Sequence, residues 1–263
     1  MPSKDFGFFE WVKFILDNYG GLFLQGTGQT LLVALTGTVF GFLIGLLVAI
    51  LRTIPIRPTD FWLKKILLRI LSFLLGIYIE VFRGTPMIVQ AMVIYYGSML
   101  AGFHMQVLFA AVFIVSINTG SYMAEIIRGG IISVDKGQKE AAHAIGMTHW
   151  QSMIYVVLPQ AVRNIMPSIG NEFVVNIKDS SVLNVISVNE LYFMSKSAAG
   201  RYARYFEVFF ITACIYLFLT FTVTRILRLI EKKMDGKSTY TIHGSQTAHR
   251  SAITPPAGGD VLD

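Results

Sequence analysis

The sequence predicts an all-α integral membrane protein of about five transmembrane helices, with an amphipathic helix in front and one structured polar loop. Three observations predict it. First, the 263-residue chain is 54% hydrophobic and 14% charged, with a mean hydropathy of +0.58, where a soluble domain carries about a quarter charged residues. Second, the apolar residues cluster into runs long enough to cross a hydrocarbon core of about 30 Å. Third, Lys and Arg are concentrated in the segments that alternate runs would place on one side of a membrane.

Residues 1–21 carry Phe8, Phe9, Val12, Ile15 and Leu16 near helical spacing with charges between them, which reads as an interfacial amphipathic helix. A first span covers about 22–51 and contains no charged residue. Gly37, Gly41 and Gly45 recur along it every four residues. Such a stripe lets another helix approach closely, inside the subunit or across a dimer, and internal packing is the favoured reading.

A basic segment follows, with Arg52, Arg57, Lys64, Lys65 and Arg69 against one acid, Asp60. The second span, about 66–97, holds Glu80 and Arg83 three apart, a spacing that can pair them on one helix face. Pro86 lacks a backbone donor and is expected to kink it. A short uncharged loop leads to the third span, about 107–127, which carries Asn118, Ser121 and Glu125 and is followed by Arg128. Charges and helix breakers at membrane depth are candidates for structural or gating roles, and Glu80, Arg83, Pro86, Glu125 and Arg128 make up that set.

The long polar connection, 135–160, is the segment between spans that reads most clearly as ordered structure. Ala141, Ala144 and Ile145 make one apolar face opposite Lys139, Glu140 and His143. Gly146 interrupts the helix where a positive φ would allow a sharp turn. A second apolar pattern, Met153 to Leu158, leads to Pro159, which can start a new helix.

The fourth span, about 165–188, has poor hydropathy. Pro167, Gly170, Glu172, Lys178, Asp179 and the serines at 180 and 181 interrupt it. This reads as a broken helix lining a polar cavity. Residues 189–206 form a loop, 208–230 the fifth span, and 234–263 a Ser/Thr/Gly/Pro-rich tail expected to be disordered. The basic loops place the polar connection and the C-terminus in the cytoplasm and the N-terminus outside.

Two patterns go further than composition. Glu140-Ala141-Ala142, then Ala144 and Gly146, then Leu158-Pro159, resembles the EAA loop of bacterial ABC importer membrane subunits. Arg83-Gly84-Thr85-Pro86 with Val89-Gln90, the stretch from Ser121 to Gly130, and Lys178-Asp179-Ser180-Ser181 resemble the polar amino acid branch of that family. The resemblance covers most of residues 22–233. It implies the type I ABC importer permease fold in a bacterial inner membrane, and a cytoplasmic coupling helix docking on a separate ATPase subunit that binds ATP and Mg. It also implies a second permease subunit, identical or different, and an external, periplasmic binding protein that delivers the amino acid. The coupling residues would be Glu140, Ala141, Ala142, Ala144, Gly146, Leu158 and Pro159. Asn118, Lys178, Asp179, Ser180 and Ser181 would line the substrate path, since a zwitterion taken out of water needs partners of both signs. Alternatively, Lys178 and Asp179 neutralise each other and stabilise the broken helix.

Other chemistry is disfavoured. Gly236-Lys237-Ser238 lacks the glycine five positions earlier that a phosphate loop requires, because residue 231 is Glu231. His143 and His149 are six apart, which does not place two metal ligands on one helix face. No basic stripe with interleaved aromatics suggests nucleic acid, and Cys214 is a lone thiol in an apolar run. The chain is thus expected to hold no cofactor and no enzymatic site of its own.

Overall fold

A computed structural model of the chain describes residues 7–54, 56, 58 and 61–235. Arg57, Asp60, the first six residues and the tail from 236 onward, with its expected disorder, lie outside the described residues. The described chain is helical. Helix α1 is Phe8–Thr53, α2 Trp62–Gly84, α3 Met87–Leu100, α4 Val107–Ser133 and α5 Lys136–Ala144. Helix α6, His149–Ser152, passes through a π turn at Met153–Val157 into α7, Leu158–Asp179. A 3-10 segment, Ser180–Ile186, leads to α8, Leu191–Tyr202, and α9, Tyr205–Asp235.

The centre is the α1–α4 pair. Gly37 lies against Val115, Gly41 against Thr119 and Gly45 against Met123, so the two helices run parallel. A Cβ at Gly45 would stand 2.8 Å from the Ala124 nitrogen and 2.9 Å from the Gly120 oxygen. The stripe therefore packs inside the subunit, where bare backbone brings two helices together.

The other helices alternate around this pair. Tyr78 on α2 donates to the Ile117 carbonyl at 2.6 Å, and Tyr95 on α3 packs in a cluster with Ala110, Ala111 and Ile114. Numbers fall on one side as they rise on the other, so α2 and α3 run against α4. Helix α7 does the same, with Ile165 beside Gly130 and Asn176 bonded to Thr119. Helix α9 returns along α7, with Leu227 beside Gly170. Its start meets the start of α1, where the Phe8 ring lies 5.6 Å from Phe206 and 5.3 Å from Phe210. Hence α1, α4 and α9 run one way, and α2–α3 and α7 run back. Those same three helices are long and apolar enough to cross a membrane.

Four boundaries differ from the sequence expectation. The stretch expected as a separate interfacial helix is the first part of α1, which continues through Gly20-Gly21 without a break. Trp11, Ile15 and Phe23 are buried along it, and Ile15 and Phe23 pack on Leu191, Ala198, Val208 and Ile211, which supports one continuous helix. The second span is two helices, because the chain leaves α2 at Thr85 and Pro86 becomes the extended N-cap of α3. The fourth span does not break at Pro167, which α7 accommodates internally. It tightens only after Asp179. The loop at 189–206 contains α8, capped by Glu190, whose carboxylate accepts from the Tyr192 and Phe193 amides at 2.7 Å each.

Candidate functional site

Three features surround the α1–α4 core: a polar cavity, a charged knot and an outward-facing short helix.

The cavity has a volume of about 570 Å³ and lies where α2 gives way to α3. Arg83, Gly84, Thr85, Pro86 and Met87 form one wall, Asn118 and Tyr122 of α4 a second, and Glu172, Val175, Asn176 and Asp179 of α7 a third. The α2–α3 break is held open by Gln90. Its side-chain amide donates to the Phe82 carbonyl, the Thr85 carbonyl and the Thr85 hydroxyl, each at 2.9 Å. Its oxygen accepts from Asn118 at 2.9 Å. One buried glutamine thus satisfies the Thr85 carbonyl freed by the break and, with Asn118, the Phe82 carbonyl that Pro86 has no N–H to pair, and it helps orient Asn118. The Arg83 guanidinium lies 5.4 Å over the Tyr122 ring.

Asn176 closes the inner end. Its amide donates to the Thr38 hydroxyl at 2.8 Å and the Thr119 hydroxyl at 3.0 Å, tying α7 to α1 and α4. Glu172, Asn176 and Asp179 fall on one face of α7 because they are four and three residues apart. The cavity therefore offers one guanidinium and two carboxylates, while the NH2 groups of Asn118 and Asn176 are engaged by protein partners. That set can hold a dipolar ligand at both ends.

Of the substrate-path residues expected from sequence, the structure brings Asn118 and Asp179 together. It does not bring in the other three. Lys178 is exposed and outside the lining. The buried Ser180 hydroxyl donates to the Ile177 carbonyl at 2.9 Å. Ser181 is half-buried, and its carbonyl accepts from Asn184. The tightened turn after Asp179 points successive residues in different directions, so adjacency in sequence is not adjacency at the cavity. Arg83, placed by sequence among gating residues, is part of this lining. Glu172, Asn176, Tyr122 and Gln90 were not among the expected site residues. The signal for the first two was available, since they lie seven and three residues before Asp179 on one helical face.

The charged knot lies one to two turns away toward the ends of α1 and α4. Glu125 accepts from Arg52 of α1 at 3.1 Å and from Arg128 at 2.7 Å. Glu80 and Arg83 line the same recess of about 490 Å³. The expected Glu80–Arg83 pair is absent among the described residues. Glu80 is exposed, and Arg83 turns to Tyr122 instead.

The short helix α5 stands beyond that end. Asp135 caps it, accepting from the Gly137 amide at 2.6 Å. It ends at Gly146 with φ 85°. The Gly146 amide donates to His143 and the Met147 amide to Ala142, the paired bonds of a glycine-terminated helix. Thr148 and Gln151 then cap α6 reciprocally, at 3.3 and 2.8 Å. The π turn precedes Pro159, whose missing N–H and bulky ring a widened turn relieves. In α5 only Ala142 is buried. Glu140, Ala141, Ala144, Ile145 and Gly146 are exposed, as are Leu158 and Pro159 at the start of α7. Ile145 exposes 76% of its surface, so this apolar face is left open among the described residues.

Residues 37–236 match the family model described as binding-protein-dependent transport system inner membrane component. The glutamine transport system permease protein GlnP of Escherichia coli K12 is 35% identical over 215 residues, covering 81% of this chain and 93% of that protein. The arginine transport system permease protein ArtQ of Bacillus subtilis is 33% identical over 214 residues, covering 81% and 92%. A crystal structure of an amino acid ABC transporter with histidines superposes with a TM-score of 0.75 at 38% identity, covering 87% of this chain and 99% of that one. The inward-facing MetNI methionine ABC transporter shares the fold, with a TM-score of 0.67 at 20% identity.

Proposed function

The chain belongs to the binding-protein-dependent transport system inner membrane component family, and from that premise we propose how it works. It is a multi-pass membrane permease subunit of an amino acid ABC importer, similar in sequence to permeases named for glutamine and arginine transport. ATP drives it through a separate ATPase subunit, which carries the ATP and Mg. An external binding protein delivers a polar amino acid, and a second permease subunit completes the pathway.

The observation that carries this reading is α5. It is a capped, rigid helix whose exposed apolar face stands beyond the α1–α4 bundle. Such a face serves a soluble partner better than lipid, because the opposite side of the helix carries Lys139, Glu140 and His143. In this reading the chain crosses the membrane five times, with α5 and the end of α9 on one side and the start of α1 on the other, and the basic residues of the connecting segments favour the cytoplasm for the α5 side. Closure of the ATPase pair would move α5. Its caps and its packing on the π turn transmit that motion to α4 and α7 as rigid bodies. The cavity between the α2–α3 break and α7 then opens to one side or the other, and ATP and the loaded binding protein each favour one packing.

The test is ATP-driven uptake of labelled amino acids into proteoliposomes holding this subunit with its co-purifying partners. Gly146→Pro removes the amide that closes α5 and is strained at φ 85°, so ATPase co-purification and uptake should both fall. Wild-type uptake without any ATPase would sink the importer mechanism in favour of an ion-driven carrier.

A further inference from the structure

We propose that an anionic phospholipid of the cytoplasmic leaflet binds in the groove between the ends of α1 and α4 and the π turn, with one acyl chain along its apolar floor and the phosphate at Lys64. The inference rests on the importer reading only for the side of the membrane that α5 faces. The groove has a volume of about 470 Å³, in the size range of sites for single small ligands. It shares no lining residue with the polar cavity or with α5.

Its two ends differ. Leu46 and Ile50 of α1 form one long wall, and Ile127 and Ile131 of α4 the other. The two helices run parallel here, in the register set by Gly45 against Met123. Both walls therefore leave the membrane in the same direction, and the uncharged run of α1 stops at Arg52. Leu46 lies at hydrocarbon depth. Thr53, seven residues or about 10.5 Å further along the axis, lies at headgroup depth. The polar lining residues gather at that outer end: Thr53 closes α1, Lys64 is in the first turn of α2, and His149 opens α6. The groove is thus apolar within and cationic at its mouth, the polarity of an anionic lipid along its length. Trp150, Ile154 and Leu158 make the third side, and all three are exposed. An acyl chain removes that apolar surface from water.

Charge selects the headgroup. Arg52, Arg57, Lys64, Lys65 and Arg69 stand against Asp60 in this stretch of sequence, and such a basic segment at the cytoplasmic surface draws anionic lipid. Phe61 and Trp62, exposed at the start of α2, suit the same interfacial level. An ATPase seated on α5 lies beyond the depth of Leu46 and Ile127. The groove also touches the path of motion, because Ile131 and Met153 line it and pack with Val134, Val157 and Ala161. A chain in the groove completes the packing between α4 and the π turn.

The test uses phosphatidylglycerol carrying a diazirine in its acyl chain, and the matching phosphatidylcholine probe. Each is added to the purified subunit, with its co-purifying partners, in phosphatidylcholine nanodiscs. No ATP or amino acid is present and both nanodisc faces carry the same lipids, so neither transport nor orientation enters. Labelled residues are mapped by mass spectrometry after irradiation. The phosphatidylglycerol probe should label Leu46, Ile50 and Met153 more densely than the exposed Leu217 and Phe218 of α9. Unlabelled phosphatidylglycerol should displace it from the groove, whereas phosphatidylcholine and inorganic phosphate should not. Lys64→Glu, at an exposed position, should cut groove labelling about fivefold or more and leave α9 labelling unchanged. Equal groove labelling of wild type by the two probes overturns the proposal without needing any variant to fold. So does labelling no denser in the groove than on α9. A photoreactive residue in place of Ile50 that captures the ATPase or a second permease subunit, rather than lipid, overturns it as well. If uptake proves independent of any ATPase, the importer reading falls while the labelling result stands on its own.

Discussion

Glu190 is the clearest case of a single side chain whose surroundings dictate its behaviour. It caps α8, which is too short to span a bilayer, and it is fully buried. Two backbone amides and the Tyr216 hydroxyl at 3.1 Å donate to its carboxylate. Burial outweighs these bonds and pushes its pKa from 4.5 up to about 7. The folded state then binds more protons than the unfolded one between those two values. Stability should therefore fall as pH rises from about 4.5 to about 7, by at most about 3 kcal/mol, and level off above. Melting temperature of the purified complex against pH would show that slope. Glu190→Gln should flatten it, at a cost of about 1 kcal/mol at low pH, because one amide oxygen replaces two acceptors. An unchanged slope would assign the pH dependence elsewhere. Nothing in the linear pattern announces this residue, since an acid before an apolar run is also an ordinary loop residue. Asn118 and Asp179 were legible because polar atoms within apolar spans are rare. Lys178, Ser180 and Ser181 were drawn in by adjacency, and the local tightening of the helix separated them.

Among the helices, those whose signal is periodic and apolar were the most readable. The glycine stripe of α1 predicted a close neighbour, and α4 is that neighbour. Substituting Gly45 tests how much the fold depends on it. Any Cβ there meets main-chain atoms of α4 that no side-chain rotamer can move. Gly45→Ala should cost about 1–3 kcal/mol and Gly45→Val more. Gly28, on the same helix with open space around it, should accept alanine with little change in melting temperature. Equal effects at the two positions would mean that the α1–α4 contact is not rigid. The α2–α3 break was harder to read. Pro86 alone permits a kink, and the full break needs Gln90 to satisfy the freed carbonyls. Gln90→Leu strands the Thr85 carbonyl and leaves Asn118 held only by its bond to the Phe82 carbonyl at 3.2 Å. It should lower substrate affinity about tenfold while α2 and α3 still form, read as retained helicity by circular dichroism with weakened binding. The merger of the first amphipathic stretch into α1 was hidden for another reason. Its partners, α8 and the start of α9, lie almost two hundred residues away.

The whole subunit divides its labour by direction. The three long apolar helices run one way and form the scaffold, and the two returning segments carry the break and, with Asn118 and Tyr122 of α4, line the cavity. Such a division is economical, because polar groups are tolerated at membrane depth only where protein covers them. It also makes the end nearest α5 the place where motion must be passed on. There Arg52, Glu125 and Arg128 tie α1 to α4. The lining of the cavity is one turn further, at Tyr122 and Asn118. Glu125→Gln leaves two guanidinium groups without their shared carboxylate but alters no residue of α5 or of the cavity. ATPase association should therefore persist. The number of ATP molecules hydrolysed per amino acid imported should rise several-fold, because α1 and α4 no longer move as one body. Measured together in the same proteoliposomes, hydrolysis and uptake separate the outcomes. Loss of ATPase association would make the knot a structural support for α5, and unchanged stoichiometry would leave the tie to the glycine stripe and the Asn176 bridge between Thr38 and Thr119.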